Sequence, residues 1–144
     1  MAQIAESTAS LRITGDELVP GEISKLLGCE PTQGERKGDR IVGPKTGHVR
    51  ISKKGMWRLA AERCEPENFD AQVKQLLSKL SSDVAVWAAL RAKYHLEIFS
   101  GLFMNESNEG FVISAETLQA LGTRGIEIGF DIYSPTRESN EEAV

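Results

Sequence analysis

Apolar and polar residues alternate or recur along the chain in patterns that predict strands separated by helices. The segment SLRITG (10–15) places Leu11 and Ile13 on one face and polar residues on the other, which indicates a half-buried strand. A turn and a short helix follow. Pro20 suits the first position of that helix, and Gly28 suits its left-handed end.

The middle of the chain predicts short strands and then the clearest helical region. Residues 40–62 read as two or three short strands, with SKKG (52–55) as a hairpin tip between them. Apolar residues in 66–93 recur every three or four positions, which predicts helix. The SSD segment breaks this pattern, and Ser81 or Ser82 is expected to cap a second helix.

The C-terminal third predicts three strands and one helix. The segments YHLEIFSGLF (94–103) and GFVIS (110–114) read as strands, and Ser114 is expected to cap a short helix that stops at Gly122. In IEIGFDIY, apolar residues then occupy every second position, the cleanest alternation in the chain. We therefore expect four side chains to point into the core: Ile126, Ile128, Phe130 and Ile132.

This order of elements predicts the fold class. Helices with one apolar stripe need a sheet to cover, so we expect a two-layer α+β sandwich. Its sheet would be mostly antiparallel with the helices on one face, in a ferredoxin-like or related arrangement. The domain would span residues 10–134, after a disordered lead-in at 1–9. Residues 135–144 would form a disordered acidic tail, since they contain little apolar matter.

Composition places the protein among ordinary soluble domains. The chain has 144 residues, of which 40% are hydrophobic and 26% charged. It shows neither a signal peptide nor an apolar run long enough for a membrane helix, so we expect a cytoplasmic protein with no membrane partner. Cys29 and Cys64 lie far apart in sequence; free thiols are favoured over a disulfide in that compartment.

Charge is concentrated in one segment. Residues 34–63 contain nine basic and three acidic residues, a net charge of +6. The rest of the chain has eight basic and eighteen acidic residues, a net of −10, which gives −4 for the whole. Such asymmetry bears on the choice of partner and on the rate of encounter.

The residues that carry most enzyme chemistry are scarce. The chain has only His48 and His95, no G-x-S-x-G motif and no cysteine motif, so a catalytic triad is not indicated. His, Cys and carboxylate residues lack metal-ligand spacing, and GPKTG (43–47) lacks the frame of a P-loop. We therefore expect no metal site, no cofactor and no catalytic residue.

Several motifs together resemble a known bacterial family of domains. They are LRITGDELVPGEISKLLGCEPT, RKGD, KKGMWRL and GFVISAETLQALGTRGIEIGFDIY, in this order across Ser10 to Tyr133. The chain resembles the domain-of-unknown-function family numbered four-two-seven-nine. Its Gly-Asp after a basic pair matches the RKGD residues 36–39, and its tryptophan matches Trp57. The resemblance implies a small stand-alone protein and no particular activity.

Three functions fit these observations. The favoured one is a non-catalytic adaptor or immunity-type module whose basic loop and hairpin bind an acidic protein. The second is nucleic-acid or polyanion binding by the same segment, which the low pI and the mostly core-periodic aromatics disfavour. The third is an enzyme with a small-molecule pocket near Asp39, His48 and Trp57. The candidate binding residues are Arg36, Lys37, Asp39, Lys45, His48, Arg50 and Trp57.

Overall fold

Eight strands and four helices make up residues 2–135, the part of the chain that the computed structural model describes. The strands are β1 (Glu6–Ser7), β2 (Ser10–Gly15), β3 (Gln33–Glu35), β4 (Arg40–Val42), β5 (Val49–Ile51), β6 (Gly55–Ala60), β7 (His95–Phe103) and β8 (Glu127–Tyr133). The helices are α1 (Pro20–Leu27), α2 (Phe69–Ser78), α3 (Val84–Lys93) and α4 (Ala115–Thr123).

The strands form a six-stranded central sheet and a separate two-stranded one. The central order is β8, β7, β2, β6, β3, and β1 continues the line of β2 along β7. The pairs are antiparallel except β7 with β8, which is parallel. β4 and β5 pair with each other as a hairpin outside this sheet. The predicted α+β class with a mostly antiparallel sheet is confirmed.

The core lies on one face of the central sheet. Alternate side chains of β2, β6 and β7 are buried there together with the apolar stripes of the helices, among them Phe69, Leu76, Trp87 and Leu90. Burying this apolar surface supplies the main driving force for folding. The opposite face of the sheet carries mostly half-buried side chains, such as Arg12 and Phe99, and none of the helices within residues 2–135 packs on it.

The helix ends follow from the local sequence. Pro20 occupies the first turn of α1, and Gly28 closes it with φ of 77°, a left-handed conformation that glycine adopts without strain. Ser114 caps α4 as expected, since its Oγ accepts a hydrogen bond from Thr117 N at 3.1 Å. The cap of α3 is Asp83 rather than Ser81 or Ser82, since its carboxylate accepts from Ala85 N at 3.0 Å.

Residues 2–9 are ordered, which corrects the expectation of a disordered lead-in at 1–9. β1 pairs with the end of β7, and Ile4 and Ala9 are buried. Ser7, also buried, donates a hydrogen bond to Gln72 at 2.8 Å. A short polar segment is therefore held by long-range pairing that periodicity does not reveal. Most of the tail expected at 135–144 lies outside the described residues.

The expectation that four side chains of IEIGFDIY point into the core is only partly met. Ile126 is buried and Ile128 is half-buried, but Phe130 and Ile132 are exposed. β8 lies at the edge of the sheet, and the helices cover only its first half. The strict alternation identified the face of β8 that points towards the core. How much of that face is covered depends on helices that are distant in sequence.

Two further elements differ from the sequence analysis. The SKKG segment is not a hairpin tip, because β5 pairs only with β4 while β6 pairs with β2 and β3. The GFVIS segment joins β7 to α4 without forming a strand, apart from a single bridge between Gly110 and Gln3.

Cys29 and Cys64 are free thiols. Of the helices in residues 2–135, none has the length and apolar character that crossing a membrane requires.

Candidate functional site

The candidate site is the hairpin of β4 and β5. Arg40 lies opposite Ile51, Ile41 opposite Arg50, and Val42 opposite Val49. Directly opposite residues of an antiparallel pair share a face. One hairpin face therefore presents Arg40, Val42, Val49 and Ile51, which we call the outer face. The inner face presents Ile41 and Arg50.

The outer face is apolar and exposed to solvent. Val42, Val49 and Ile51 have 57%, 46% and 59% of their surface exposed. β-Branched side chains favour strands because they pack well against neighbours, but here no neighbouring element covers them. Several exposed cations lie in or beside the hairpin: Arg36, Lys37, Arg40, Lys45, Lys53 and Lys54.

The inner face is held to the edge of the central sheet by an ion pair. The carboxylate of Glu35 is only 3% exposed and accepts two hydrogen bonds from Arg50, at 2.6 and 3.2 Å. Gln33 donates a third at 2.8 Å. The bond from Arg50 lowers the pKa of Glu35 below its ordinary value, against the opposing effect of burial. Arg50 therefore has a structural partner within the chain.

The RKGD segment is a tight turn between β3 and β4. The Asp39 carboxylate accepts a hydrogen bond from Arg36 N at 2.7 Å, and Asp39 N donates to Arg36 O at 3.0 Å. Gly38 has a φ of 91°, a backbone conformation that would be strained in a residue with a side chain. Asp39 thus shapes the turn, while Lys37 Nζ lies 3.7 Å from an Asp16 carboxylate oxygen.

The tip of the hairpin presents Lys45 and His48 to solvent. Gly43 N donates to His48 O at 2.8 Å and Gly47 N donates to Gly43 O at 3.0 Å, which closes the loop. Gly47 has φ of 68°. Both candidate side chains are therefore free to contact a partner at the hairpin end.

Trp57 is removed from the candidate binding residues. Its side chain is fully buried in the core, and its Nε1 donates to Ser24 Oγ at 3.1 Å. A side chain without exposed surface lines no open pocket, so Trp57 does not contribute to the pocket expected near Asp39, His48 and Trp57. The alternation of Trp57 with Leu59 places both on the core face of β6.

The structure brings six of the seven candidates into or next to the hairpin: Arg36, Lys37, Asp39, Lys45, His48 and Arg50. The exposure of Val42, Val49 and Ile51 was not predicted from the sequence, because three-residue strands do not distinguish a buried apolar face from an exposed one. The role of Glu35 was not predicted either. An acid directly before the basic pair Arg36 and Lys37 was the available signal for that ion pair.

A second group of ionisable side chains lies where β7 and β8 begin. Nε2 of His95 is 3.4 Å from a Glu127 carboxylate oxygen and 3.9 Å from one of Glu97. The three could hold a metal ion by spacing. All are at least partly exposed, and exposed acidic groups commonly cluster without an ion. We therefore assign no metal to them.

The chain matches a known protein family. A family model described as Domain of unknown function (DUF4279) matches residues 5–135. The chain belongs to the DUF4279 family. This match confirms the resemblance that the sequence motifs indicated. No curated protein and no solved structure gives a significant match.

The DUF4279 match includes the hairpin, the central sheet and the four helices described above. It also includes most of the N-terminal segment, beginning one residue before β1. The basic hairpin is thus part of the DUF4279 domain rather than a segment appended to it.

Proposed function

We propose that this protein is a non-catalytic interaction module whose β4–β5 hairpin binds an acidic protein partner. The observation that carries the proposal is the outer face: exposed Val42, Val49 and Ile51, bordered by cations. An apolar centre with a charged rim is the usual anatomy of a protein interface. Exposed apolar surface of this kind marks interaction sites.

The charge of the hairpin indicates the chemistry of the partner. Residues 36–54 contain seven basic residues and one acid, while the rest of the chain is acidic. Arg50 is neutralised by Glu35, which leaves six cations against Asp39. An acidic partner surface would be attracted to this segment and repelled by the remainder of the molecule. Such complementarity raises the association rate and fixes the orientation of docking.

The same segment is the second candidate surface for a polyanion. Single-stranded nucleic acid is generally held by aromatic side chains on which bases stack. Residues 36–54 contain no Phe, Tyr or Trp, and the exposed side chains at the centre of the outer face are aliphatic. Aliphatic groups gain most by packing against another apolar surface. A protein partner therefore suits the outer face better than a nucleic acid does.

The proposal is tested by photo-crosslinking in the native host. A photoreactive amino acid replaces Val49, and in a matched control it replaces Val84, an exposed β-branched residue at the start of α3. We expect a protein adduct from position 49 that resists nuclease treatment and is missing from position 84. Nuclease-sensitive adducts at position 49 would favour the polyanion function, and the same adducts at both positions would contradict any hairpin interface.

Purified partner then allows a quantitative test. Ile51→Thr and Val49→Thr should each weaken binding about tenfold, because a hydroxyl at the interface replaces an ethyl group in the first and a methyl group in the second. Val84→Thr should leave the affinity unchanged. All three variants should keep the wild-type melting temperature within a few degrees, since the substituted side chains are exposed.

A further inference from the structure

Three arginines line a small cavity on the helix-free face of the central sheet. The cavity has a volume of about 290 Å³. Arg12 on β2, Arg58 on β6 and Arg63 just beyond β6 border it, together with Phe99 and small residues such as Ala60. No carboxylate is among the residues of the described chain that line it.

Arg12 and Arg58 lie directly opposite each other on paired strands. Like charges in this arrangement are destabilising. On its other side, Arg12 lies opposite Glu97. The Glu97 carboxylate turns towards Gly129 on β8, where its Oε2 would lie only 3.1 Å from a Cβ atom at position 129. Within residues 2–135, neither Arg12 nor Arg58 forms an ion pair.

The position of Arg12 is fixed although its charge is unpaired. Its guanidinium lies 4.1 Å from the centre of the Phe99 ring, a cation–π contact. Its Nε is buried and has no hydrogen-bond partner in the described chain. An unpaired buried donor costs folding free energy. Arg63 differs, since Glu6 pairs with it.

We propose that this cavity binds the phosphate group of a compact phosphorylated small molecule. The two unpaired guanidinium groups supply two positive charges, and a phosphomonoester carries nearly two negative charges at neutral pH. Planar guanidinium groups match the oxygen geometry of phosphate and bind it with paired hydrogen bonds.

The size of the cavity limits the ligand. Its volume of about 290 Å³ is at the lower end of the range for small-molecule sites. A phosphate group with a few attached atoms fills such a space, whereas a macromolecular surface would reach it only through a protruding group. The site lies on the central sheet and does not rest on the function proposed for the hairpin.

The test uses calorimetric titration of the full chain in a phosphate-free buffer. The probes are inorganic phosphate, glycerol 3-phosphate and, as the uncharged parent, glycerol. The variants are Arg58→Gln and Ala60→Glu, the second of which adds a carboxylate to the cavity. Arg40→Gln is the matched control, because Arg40 is an exposed arginine on the hairpin.

We expect saturable binding of phosphate or glycerol 3-phosphate to the wild type and no binding of glycerol. Arg58→Gln should weaken binding about tenfold or more, as loss of charged hydrogen bonds does, while Arg40→Gln changes it by less than about twofold. Tighter binding of glycerol 3-phosphate than of phosphate identifies an esterified ligand, and the reverse identifies the free anion.

The melting temperature without ligand separates binding from structure. Removing one of two opposed charges should raise it by about 2 °C in Arg58→Gln, and Ala60→Glu should raise it while abolishing binding. The proposal is overturned if the wild type binds neither anion at millimolar concentration, or if Arg40→Gln weakens binding as much as Arg58→Gln does.

Discussion

The guanidinium of Arg50 and the carboxylate of Glu35 join the hairpin to the edge of the central sheet. Glu35 is the last residue of β3 and is nearly inaccessible, while Arg50 lies in the middle of β5. Two hydrogen bonds connect the two charges. The pair therefore fixes the orientation of the inner hairpin face and, through it, the outward direction of the apolar face.

Removing the charge of Arg50 should destabilise the protein. Arg50→Gln leaves the buried Glu35 carboxylate without its cation, so at pH 7 the variant should unfold at a lower urea concentration than the wild type. Urea unfolding measures the loss. Arg40→Gln, which changes an exposed arginine of the same hairpin, should stay within about 0.5 kcal/mol of the wild type.

The cost of Arg50→Gln should depend on pH in a defined direction. The pKa of Glu35 in the folded state lies below its ordinary value of 4.5. The ionised pair thus contributes its full stability above that value, and the contribution is lost as the pH falls through the folded-state pKa. The difference between wild type and Arg50→Gln should be largest at neutral pH and shrink at acid pH. An equal difference throughout would show that the charge of Glu35 is not involved.

Reversing the exposed charges of the turn should affect association and not folding. The double variant Arg36→Glu and Lys37→Glu loses only a surface ion pair to Asp16, so its unfolding free energy should change by about 0.5 kcal/mol or less. Its association rate with the crosslinked partner should fall, and fall more at low salt, because the Debye length is about 30 Å at 0.01 M and 8 Å at 0.15 M.

A matched double reversal controls for net charge. Lys74→Glu and Lys79→Glu change two exposed lysines on or next to α2 by the same amount of charge. Stopped-flow association should be much less sensitive to this pair than to the turn pair. If both double variants slow association equally, the whole-molecule charge governs encounter and the hairpin has no special role. Unfolding of the turn variant would instead assign Arg36 or Lys37 a structural role.

Phe130 should contribute less to stability than a core phenylalanine. It is 36% exposed and packs at the edge of the core against Phe69 and Phe111, with ring centres 5.3 and 5.4 Å away. Phe130→Ala should cost about 1–2 kcal/mol in chemical unfolding. Phe69→Ala, at a fully buried position, should cost about 3–5 kcal/mol. Equal losses would mean that β8 is covered more deeply than described.

Gln72 should be essential for holding the N-terminal strand. Its buried side chain accepts a hydrogen bond from Ser7 Oγ and donates to the carbonyl oxygens of Ser7 and Glu62, all within 2.9 Å. Gln72→Leu keeps the volume but removes all three of these buried hydrogen bonds, so unfolding should become easier by about 2–4 kcal/mol. Gln119→Leu, on the exposed side of α4, is the control and should be nearly neutral.

The sequence predicted most of the fold because its longer elements carry strong local signals. The apolar periodicity of α2 and α3 and the alternation of β2 and β6 identify both the elements and their core faces. Pro20, Gly28 and Ser114 mark helix ends by local chemistry. Where prediction failed, long-range pairing was responsible. Ile4 and Ser7 are held by residues that are distant in sequence, among them Gln72, Cys64 and Gly110, and the exposure of Phe130 depends on which helices reach β8.

The position of the candidate site could be predicted from the sequence, but the apolar nature of its outer face could not. Local charge density located the hairpin, since Arg36, Lys37 and Lys45 stand out in an acidic chain. The apolar outer face depends on β5 pairing with β4 alone, which three residues of alternation do not specify. The opposition of Arg12 to Arg58 is a matter of register between distant strands, and no local pattern encodes it.

Because both tryptophans are buried, the intrinsic fluorescence of this protein reports on the state of its core. Trp57 and Trp87 have no exposed surface, and their indole N–H groups are satisfied within the fold by Ser24 Oγ and Ser81 O. Intrinsic fluorescence should be blue-shifted in the native state and insensitive to aqueous quenchers such as iodide. Neither the hairpin nor the arginine cavity contains a tryptophan, so a red shift of the emission measures the opening of the core itself.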